Sequence, residues 1–461
     1  MRGTLSHEAR QTAALAALRK SLGDAVSTAA KLLQEARADK SGHVSSGAPI
    51  AVVTATSIEQ VQQTMRIASE HRIGVVTRGA GTGLAGGSIA GPGEIVLSTL
   101  GMNRVLEVSA ADELAVLEPG IINSDLNRAL EPHGLWFAPD PASKTISTVG
   151  GNIATNAGGL LCAKYGVTRE AVLGLKVVRA DGTLLTLGHR SVKGVTGLDL
   201  TALMIGSEGT LGVIVEATVK LLPLPSGTVA TIGAYFADIT AAASASAAIT
   251  AARIRPAAME LLDADALKLI GVHLGLELHG RGCAYLLVQT DGSASEREAA
   301  DALGIIRSLG GDADLTIDEA EGERMLAIRR SFHPAMEAHG SVLIEDVAVP
   351  RSALPLMFAA IAGIAARYDL VIPTVAHAGD GNLHPNFLFD GVDVPQVVWD
   401  AAGEVFEAAL SLGGTLTGEH GVGLLKKRWL GTELGENQLS LQREIKALFD
   451  PLGIMNPGKV F

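Results

Sequence analysis

Cysteine is nearly missing from this chain, with two residues, Cys162 and Cys283, among 461. They could form one bridge, but a disulfide framework is excluded and a reducing compartment fits better. Long apolar runs are missing too. No stretch reaches about 18 uninterrupted apolar residues, so no spanning helix is expected. The start, MRGTLSHEAR, lacks the apolar core of a secretory leader. Basic clusters are also missing. The 37 Lys and Arg stand against 49 Asp and Glu, net −12, which argues against a nucleic-acid partner. A cytoplasmic protein is expected, with peripheral attachment at the inner membrane face left open.

What is present suits a well-packed globular chain, 47% hydrophobic and 19% charged. Its length is enough for two or three domains. Helices are expected over 5–40, then a strand at 50–54. A helix follows over 57–71, opened by the capping pattern Ser57-Ile-Glu-Gln. Strands are expected at 73–77, 95–98, 104–108, 114–117, 173–179, 183–187 and 212–221, before a linker, LLPLPSG, at 221–227. Beyond it, strands at 229–236, 283–290 and about 313–318 alternate with helices at 240–252 and 294–308. That alternation suggests a split βαβ, ferredoxin-like sheet. The division expected is a helical segment 1–45, a first domain 46–225, a second 226–430, and a tail 431–461 that returns to the first.

Gly81–Gly86, GTGLAG, matches the dinucleotide fingerprint G-x-G-x-x-G. That fingerprint needs a helix directly afterwards, and Gly91-Pro92-Gly93 forbids one of any length. No lysine follows, so a Walker loop is excluded. What remains is a Gly-rich loop whose backbone N–H groups can cradle an anion, with Arg78 adding positive charge. A second Gly-rich loop, STVGGNIATNAGG at 147–159, has Gly150, Gly151, Gly158 and Gly159 where a large flat group could approach the backbone. Thr148, Asn152, Thr155 and Asn156 supply hydrogen-bonding groups between them. Two such loops point to an extended ligand.

HAGDGNLHPNF at 377–387 sets two histidines seven apart. Gly379, Gly381 and Pro385 argue against a helix, and VIPTVA and NFLF read as flanking strands. With Asp380-Gly381 as the turn centre, His377 would oppose His384. Opposed residues have Cβ atoms about 4.5–5.5 Å apart, a workable span for two ligands of one metal. Asn386 would share their face. A hairpin carrying two surface histidines is the plain alternative.

TRGAGTGLAGG, PDPASKTISTVGGNIATNAGG and IGSEGTLGVI resemble the flavin-binding segments of vanillyl-alcohol-oxidase-type flavoproteins. HAGDGNLHPN, TGEHGVG and the terminal NPGK resemble the D-2-hydroxyacid dehydrogenase branch of that superfamily. The branch includes FAD-dependent D-lactate dehydrogenases, the flavin subunit of glycolate oxidase and D-2-hydroxyglutarate dehydrogenases. The likeness covers about residues 45–461. It implies an α+β protein: a vanillyl-alcohol-oxidase-type FAD-binding domain plus a ferredoxin-like substrate (cap) domain that covers the isoalloxazine. Carried over by position, the FAD residues are Arg78, Gly79, Ala80, Gly81, Thr82, Gly83, Leu84, Pro139, Asp140, Thr148, Gly150, Gly151, Asn152, Ala154, Thr155, Gly158, Gly159, Glu208, Gly212 and Ile214. No histidine lies in 77–88, so the FAD should be non-covalent.

The same resemblance implies His377, His384 and Glu419 as ligands of a divalent metal, Zn or Mn. It leaves His420 as the base and substrate contact, with Arg329 gripping the substrate carboxylate and Asn386 hydrogen-bonding the substrate. Arg330 is the adjacent rival of Arg329. Hydroxyglutarate-oxidising relatives often carry Lys-Tyr-Asp where this chain has Ile344-Glu345-Asp346, so D-lactate or glycolate is favoured; Arg330 or His333 could compensate. D-2-hydroxyglutarate oxidation is the alternative substrate reading. A non-redox enzyme of the alkylglycerone-phosphate-synthase type is the alternative reaction, and the His/His/Glu set argues against it. The expected partners are a small 2-hydroxy acid and an electron acceptor such as electron-transfer flavoprotein, quinone or cytochrome. A homodimer or a complex with other oxidase subunits is left open.

Overall fold

The computed structural model describes residues 6–278 and 280–461, so residues 1–5 of the expected N-terminal segment lie outside it. The chain divides into two compact units. The first comprises residues 1–157, 167–224 and 420–461; the second comprises 158–166 and 225–419. Two stretches therefore differ from the expected division: 158–166 joins the second unit, and 420–430 joins the first. The reason for the former is local. Lys164 Nζ and Tyr165 Oη both bond the Asp291 carboxylate at the end of strand Ala284–Thr290.

In the first unit, Ala51–Thr54, Ile95–Ser98 and Val75–Arg78 form a parallel sheet, with the two-residue strand Val26–Ser27 antiparallel at its edge. That edge strand interrupts the helical segment expected over 5–40, leaving helices His7–Leu22 and Ala30–Glu35. Helix Ile58–His71 starts as expected: the Ser57 hydroxyl accepts from Gln60 N. Gln60 Oε1, however, accepts from Thr56 N rather than closing the box on Ser57. A second, five-stranded antiparallel sheet runs Val105–Ser109, Leu114–Leu117, Val213–Lys220, Val172–Val178, Leu184–Gly188. Its apolar face gathers Leu117, Leu126, Phe137, Ile153, Val177 and Val219, all buried, against the helices. Apolar burial of this kind contributes about 25 cal/mol per Å².

The second unit carries one eight-stranded antiparallel sheet. Four of its strands are Ala230–Phe236, Ala258–Leu262, Ala284–Thr290 and Asp312–Thr316, numbered here in chain order. They lie side by side as fourth, first, third, second. That is the ferredoxin-like order the alternation suggested. Strand Ala258–Leu262 was not foreseen, because all five residues are buried and AMELL shows no in-out alternation. The sheet continues through Thr374–His377, Asn382–Phe389 and Ser341–Ile344, with Val347–Ala348 also on Asn382–Phe389. Among the described residues no helix is long and apolar enough to cross a membrane.

The hairpin turn differs from the expectation in a way that matters for the histidines. His377 pairs with Asn382, and Val375 pairs with His384. The turn is therefore the four residues Ala378–Gly381, not a two-residue turn centred on Asp380-Gly381. Asp380 Oδ1 accepts from Asn382 N and closes the turn from inside. Gly381 has φ +94, and a Cβ there would lie 2.1 Å from the Val349 carbonyl oxygen. Gly381→Ala should therefore destabilise the protein by about 2–4 kcal/mol through clash and strain combined. A urea-unfolding midpoint that stays at the wild-type value would show that another residue fixes the turn.

Candidate functional site

His377 ends strand Thr374–His377, and His384 lies diagonally across on Asn382–Phe389, two residues beyond the partner of His377. Residues two apart on a strand share a face. The rings thus still meet, with centroids 5.1 Å apart and edge to face. Both histidines are buried, at 5% and 7% exposure. Glu419 Oε1 lies 3.4 Å from His377 Nε2 and 3.1 Å from His384 Nε2. One ligand atom from each of the three falls within 4.8 Å of the others, so they could hold a metal ion. A surface hairpin is excluded by the burial alone.

Glu419 is set by its own backbone. The buried Asp346 carboxylate accepts from Thr417 Oγ1 at 2.9 Å and from Gly418 N and Glu419 N at 2.7 Å each. Two glycines clear the space: a Cβ on Gly418 would lie 2.3 Å from Asn382 Oδ1, and one on Gly158 would lie 2.5 Å from Glu419 Oε2. Gly158, read as a flavin-side glycine, thus belongs beside the carboxylate. Burial alone would raise the Glu419 pKa, but hydrogen bonds from His377 and His384 and their charges hold it well below the usual value.

Behind His377 sits a residue that the sequence did not single out. Glu260, 1% exposed, stands directly opposite His377 on the neighbouring strand. His377 Nδ1 donates to Glu260 Oε1 at 2.8 Å, and Arg329 Nε donates to Glu260 Oε2 at 2.6 Å. An imidazole tethered this way presents Nε2 forward in one tautomer. Burial would lower the His377 pKa, but the adjacent Glu260 and Glu419 carboxylates push it well above the usual value. No short motif joins Glu260 to the histidines, since it lies 117 residues earlier.

The two arginines differ in their partners. Arg330 bonds Glu323 at the surface, and His333 pairs with Glu337. Arg329 is turned inward, its side chain 14% exposed. Asn386, 1% exposed, donates from Nδ2 to the His384 carbonyl, and its Oδ1 has no protein partner. His420 is grouped with the first unit, one residue beyond Glu419.

Most of the residues carried over for FAD lie in the first unit. Residues 79–84 follow strand Val75–Arg78 as an irregular loop, with no helix after it. Arg78 is spent inside the fold: its guanidinium donates to the carbonyls of Ser88 and Ala38 and so pins the loop. Residues 149–155 form a short helix rather than a loop, with the Thr148 hydroxyl as its cap. Asn152, Ala154 and Thr155 ride on it. Gly150 is required by packing, since a Cβ there would lie 2.4 Å from Pro119 Cβ. Gly159 goes with Gly158 to the second unit. The Pro139 carbonyl accepts from Asn123, and Asp140 is buried. Glu208 accepts from Val422 N and Gly423 N, which makes it a clamp on that backbone. Gly212 makes room for Val177, and Ile214 is core. The fit to a polar cofactor rests on Thr77 Oγ1, Ser147 Oγ and Asn152 Nδ2, buried donors without a protein partner.

Comparison with known proteins adds the following. The model for the C-terminal domain of FAD linked oxidases matches residues 227–460, and an FAD binding domain model matches 49–188. A glycolate oxidase subunit GlcD of Bacillus subtilis (strain 168) is 42% identical over 90% of this chain and 89% of its own. A D-2-hydroxyglutarate dehydrogenase of Stutzerimonas stutzeri (strain A1501) is 33% identical over 90% and 91%. A D-lactate dehydrogenase of Anaerostipes hadrus is 32% identical over 89% of each chain. Among solved structures, p-cresol methylhydroxylase superposes with a TM-score of 0.81 at 17% identity, covering 100% of this chain and 98% of that one. That last likeness concerns the fold alone.

The charges of the cluster predict how metal-free protein responds to pH. The depressed Glu419 pKa gives stability that is present above about pH 4.5 and lost as pH falls through its folded value. The raised His377 pKa gives stability that is present below about pH 6.5 and lost as pH rises through its folded value. Chelated protein should therefore be most stable between these limits, and His377→Gln should flatten the alkaline side. An unchanged alkaline slope in that variant would contradict the assignment.

Proposed function

The chain belongs to the FAD-linked oxidase family and is an FAD-dependent oxidoreductase, and we propose that it oxidises a D-2-hydroxy acid, D-lactate or glycolate, to the 2-oxo acid. The observation that carries this reading is the buried His377, His384 and Glu419 set, backed by Glu260. Oxidation of such an acid removes a proton from the hydroxyl oxygen and a hydride from C2. FAD, held without a covalent bond, supplies the hydride acceptor. A divalent metal such as Zn²⁺ or Mn²⁺ suits two imidazoles and a carboxylate, and would supply the Lewis acidity that lowers the hydroxyl pKa.

The chain's own groups do the rest. His420 takes the hydroxyl proton near neutral pH. Arg329 offers a planar fork to the substrate carboxylate. Asn386 Oδ1 accepts a hydrogen bond from the substrate. Ile344-Glu345-Asp346 supplies no cation for a second carboxylate, which favours a monocarboxylic acid over hydroxyglutarate. Because two relatives are described as glycolate oxidase subunits, the electrons are proposed to leave through a partner subunit, an electron-transfer flavoprotein, a quinone or a cytochrome.

Anaerobic addition of D-lactate or glycolate should bleach the flavin of the holoprotein, with D-2-hydroxyglutarate slower. Chelation should abolish that bleaching while FAD stays bound. A fully demetallated protein that keeps its rate would remove the metal from the reading. If no 2-hydroxy acid bleaches the flavin, the substrate class itself is wrong.

His420→Ala should slow flavin reduction about 10²–10⁴-fold with little change in metal content, the usual loss for a general base. Part of that rate should return at high pH. Glu419→Gln should instead deplete the metal. Were His420→Ala to lose metal and Glu419→Gln to keep it, the two roles would be exchanged.

A further inference from the structure

Strand Ala258–Leu262 is apolar at every position but one, and all five residues are buried. Only a residue with specific partners is retained as a carboxylate in such a place. Glu260 has one partner for each oxygen: His377 Nδ1 on Oε1 and Arg329 Nε on Oε2. The two partners come from different elements. His377 ends a neighbouring strand, while Arg329 lies in the last turn of helix Glu319–Arg330.

We infer that Glu260 is a positioning residue that couples two binding events: through Oε1 it fixes His377 as a metal ligand, and through Oε2 it aims Arg329 at the substrate carboxylate. The inference rests on the function proposed above. On the metal side, a carboxylate behind an imidazole fixes the tautomer that leaves Nε2 free, and it strengthens that nitrogen as a ligand. On the substrate side, Arg329 spends only Nε on Glu260. Among the described residues no other group bonds its guanidinium, so both terminal nitrogens are left for a bidentate grip on a carboxylate. A space-filling residue would serve neither partner, and a carboxylate reaching only one would leave the other unaimed.

Glu260→Gln separates the possibilities, because an amide has one oxygen where the carboxylate has two. If its N–H₂ faces His377, the imidazole proton is driven to Nε2, the atom turned towards Glu419. If it faces Arg329, two donors oppose each other and the guanidinium must move. The holoprotein is used throughout, with Zn²⁺ affinity measured by competition with a chelator and KM and kcat measured with D-lactate and glycolate. Glu260→Gln should weaken Zn²⁺ by about 10–100-fold and raise KM at least several-fold with FAD content unchanged. Arg329→Gln should raise KM but leave Zn²⁺ affinity near wild type. Adding Glu260→Gln to Arg329→Gln should cost little more in KM, since both act through one contact.

Zn²⁺ affinity and KM that both stay within about twofold of wild type in Glu260→Gln overturn the inference. A change in only one of them also overturns the coupling, because Glu260 then serves a single partner. If Glu260→Gln loses FAD or its native circular dichroism, Glu260→Asp takes its place. The shorter carboxylate keeps the charge but cannot span both donors, so retention of both properties overturns the inference equally. Failure of the functional reading looks different: the wild-type protein itself would show no Zn²⁺ dependence or no bleaching by any 2-hydroxy acid.

Discussion

Charge placed out of reach of water has to be answered by protein groups, and the second unit is organised by that constraint. Glu260, Asp346 and Glu419 lie within one small region, the first two almost fully buried. Isolated, each would cost several kcal/mol. None is isolated. Asp346 collects two backbone N–H groups and a threonine hydroxyl. Glu260 takes an imidazole and a guanidinium, and Glu419 takes two imidazoles. The strands and turns around them are therefore fixed by polar geometry as much as by apolar contact.

The same constraint explains which parts of the molecule were legible in the sequence. Capping residues, Gly-rich punctuation and alternation located most strands of the first unit to within a residue or two, as at Ile95–Ser98 and Leu114–Leu117. The ferredoxin-like type of the second unit's core was suggested by its alternation, while its strand order appears only in the structure. Strand Ala258–Leu262 stayed hidden because burial on both faces erases alternation. The register of the histidine hairpin was displaced because Asp-Gly, a strong two-residue turn signal, here sits inside a four-residue turn.

Of the candidate site, the residues with a local motif could be found and those without one could not. His377, His384 and Glu419 stand in HAGDGNLH and TGEHGVG, and the structure brings them together. Glu260 and Asp346 reach the same place from distant segments, and only folding shows that they meet. Gly150 and Gly158 suggested an approaching ligand and Gly212 was carried over by resemblance; in the structure each clears space for a protein neighbour: Pro119, Glu419 and Val177. A glycine reports a close approach without naming what approaches.

The division of the chain has a consequence for the order of synthesis. Each unit is assembled from stretches that leave the ribosome far apart in time. Residues 158–166 wait for the rest of the second unit, and residues 1–157 and 167–224 wait for 420–461. At about 5–20 residues per second, the stretch between 225 and 419 alone takes roughly 10–40 s to translate. Through that interval the parallel sheet of the first unit lacks Met455 beside Val75 and the Asn456 side chain on the carbonyls of Gly87 and Glu208. The first unit's sheet is therefore completed only by the last residues of the chain to be made.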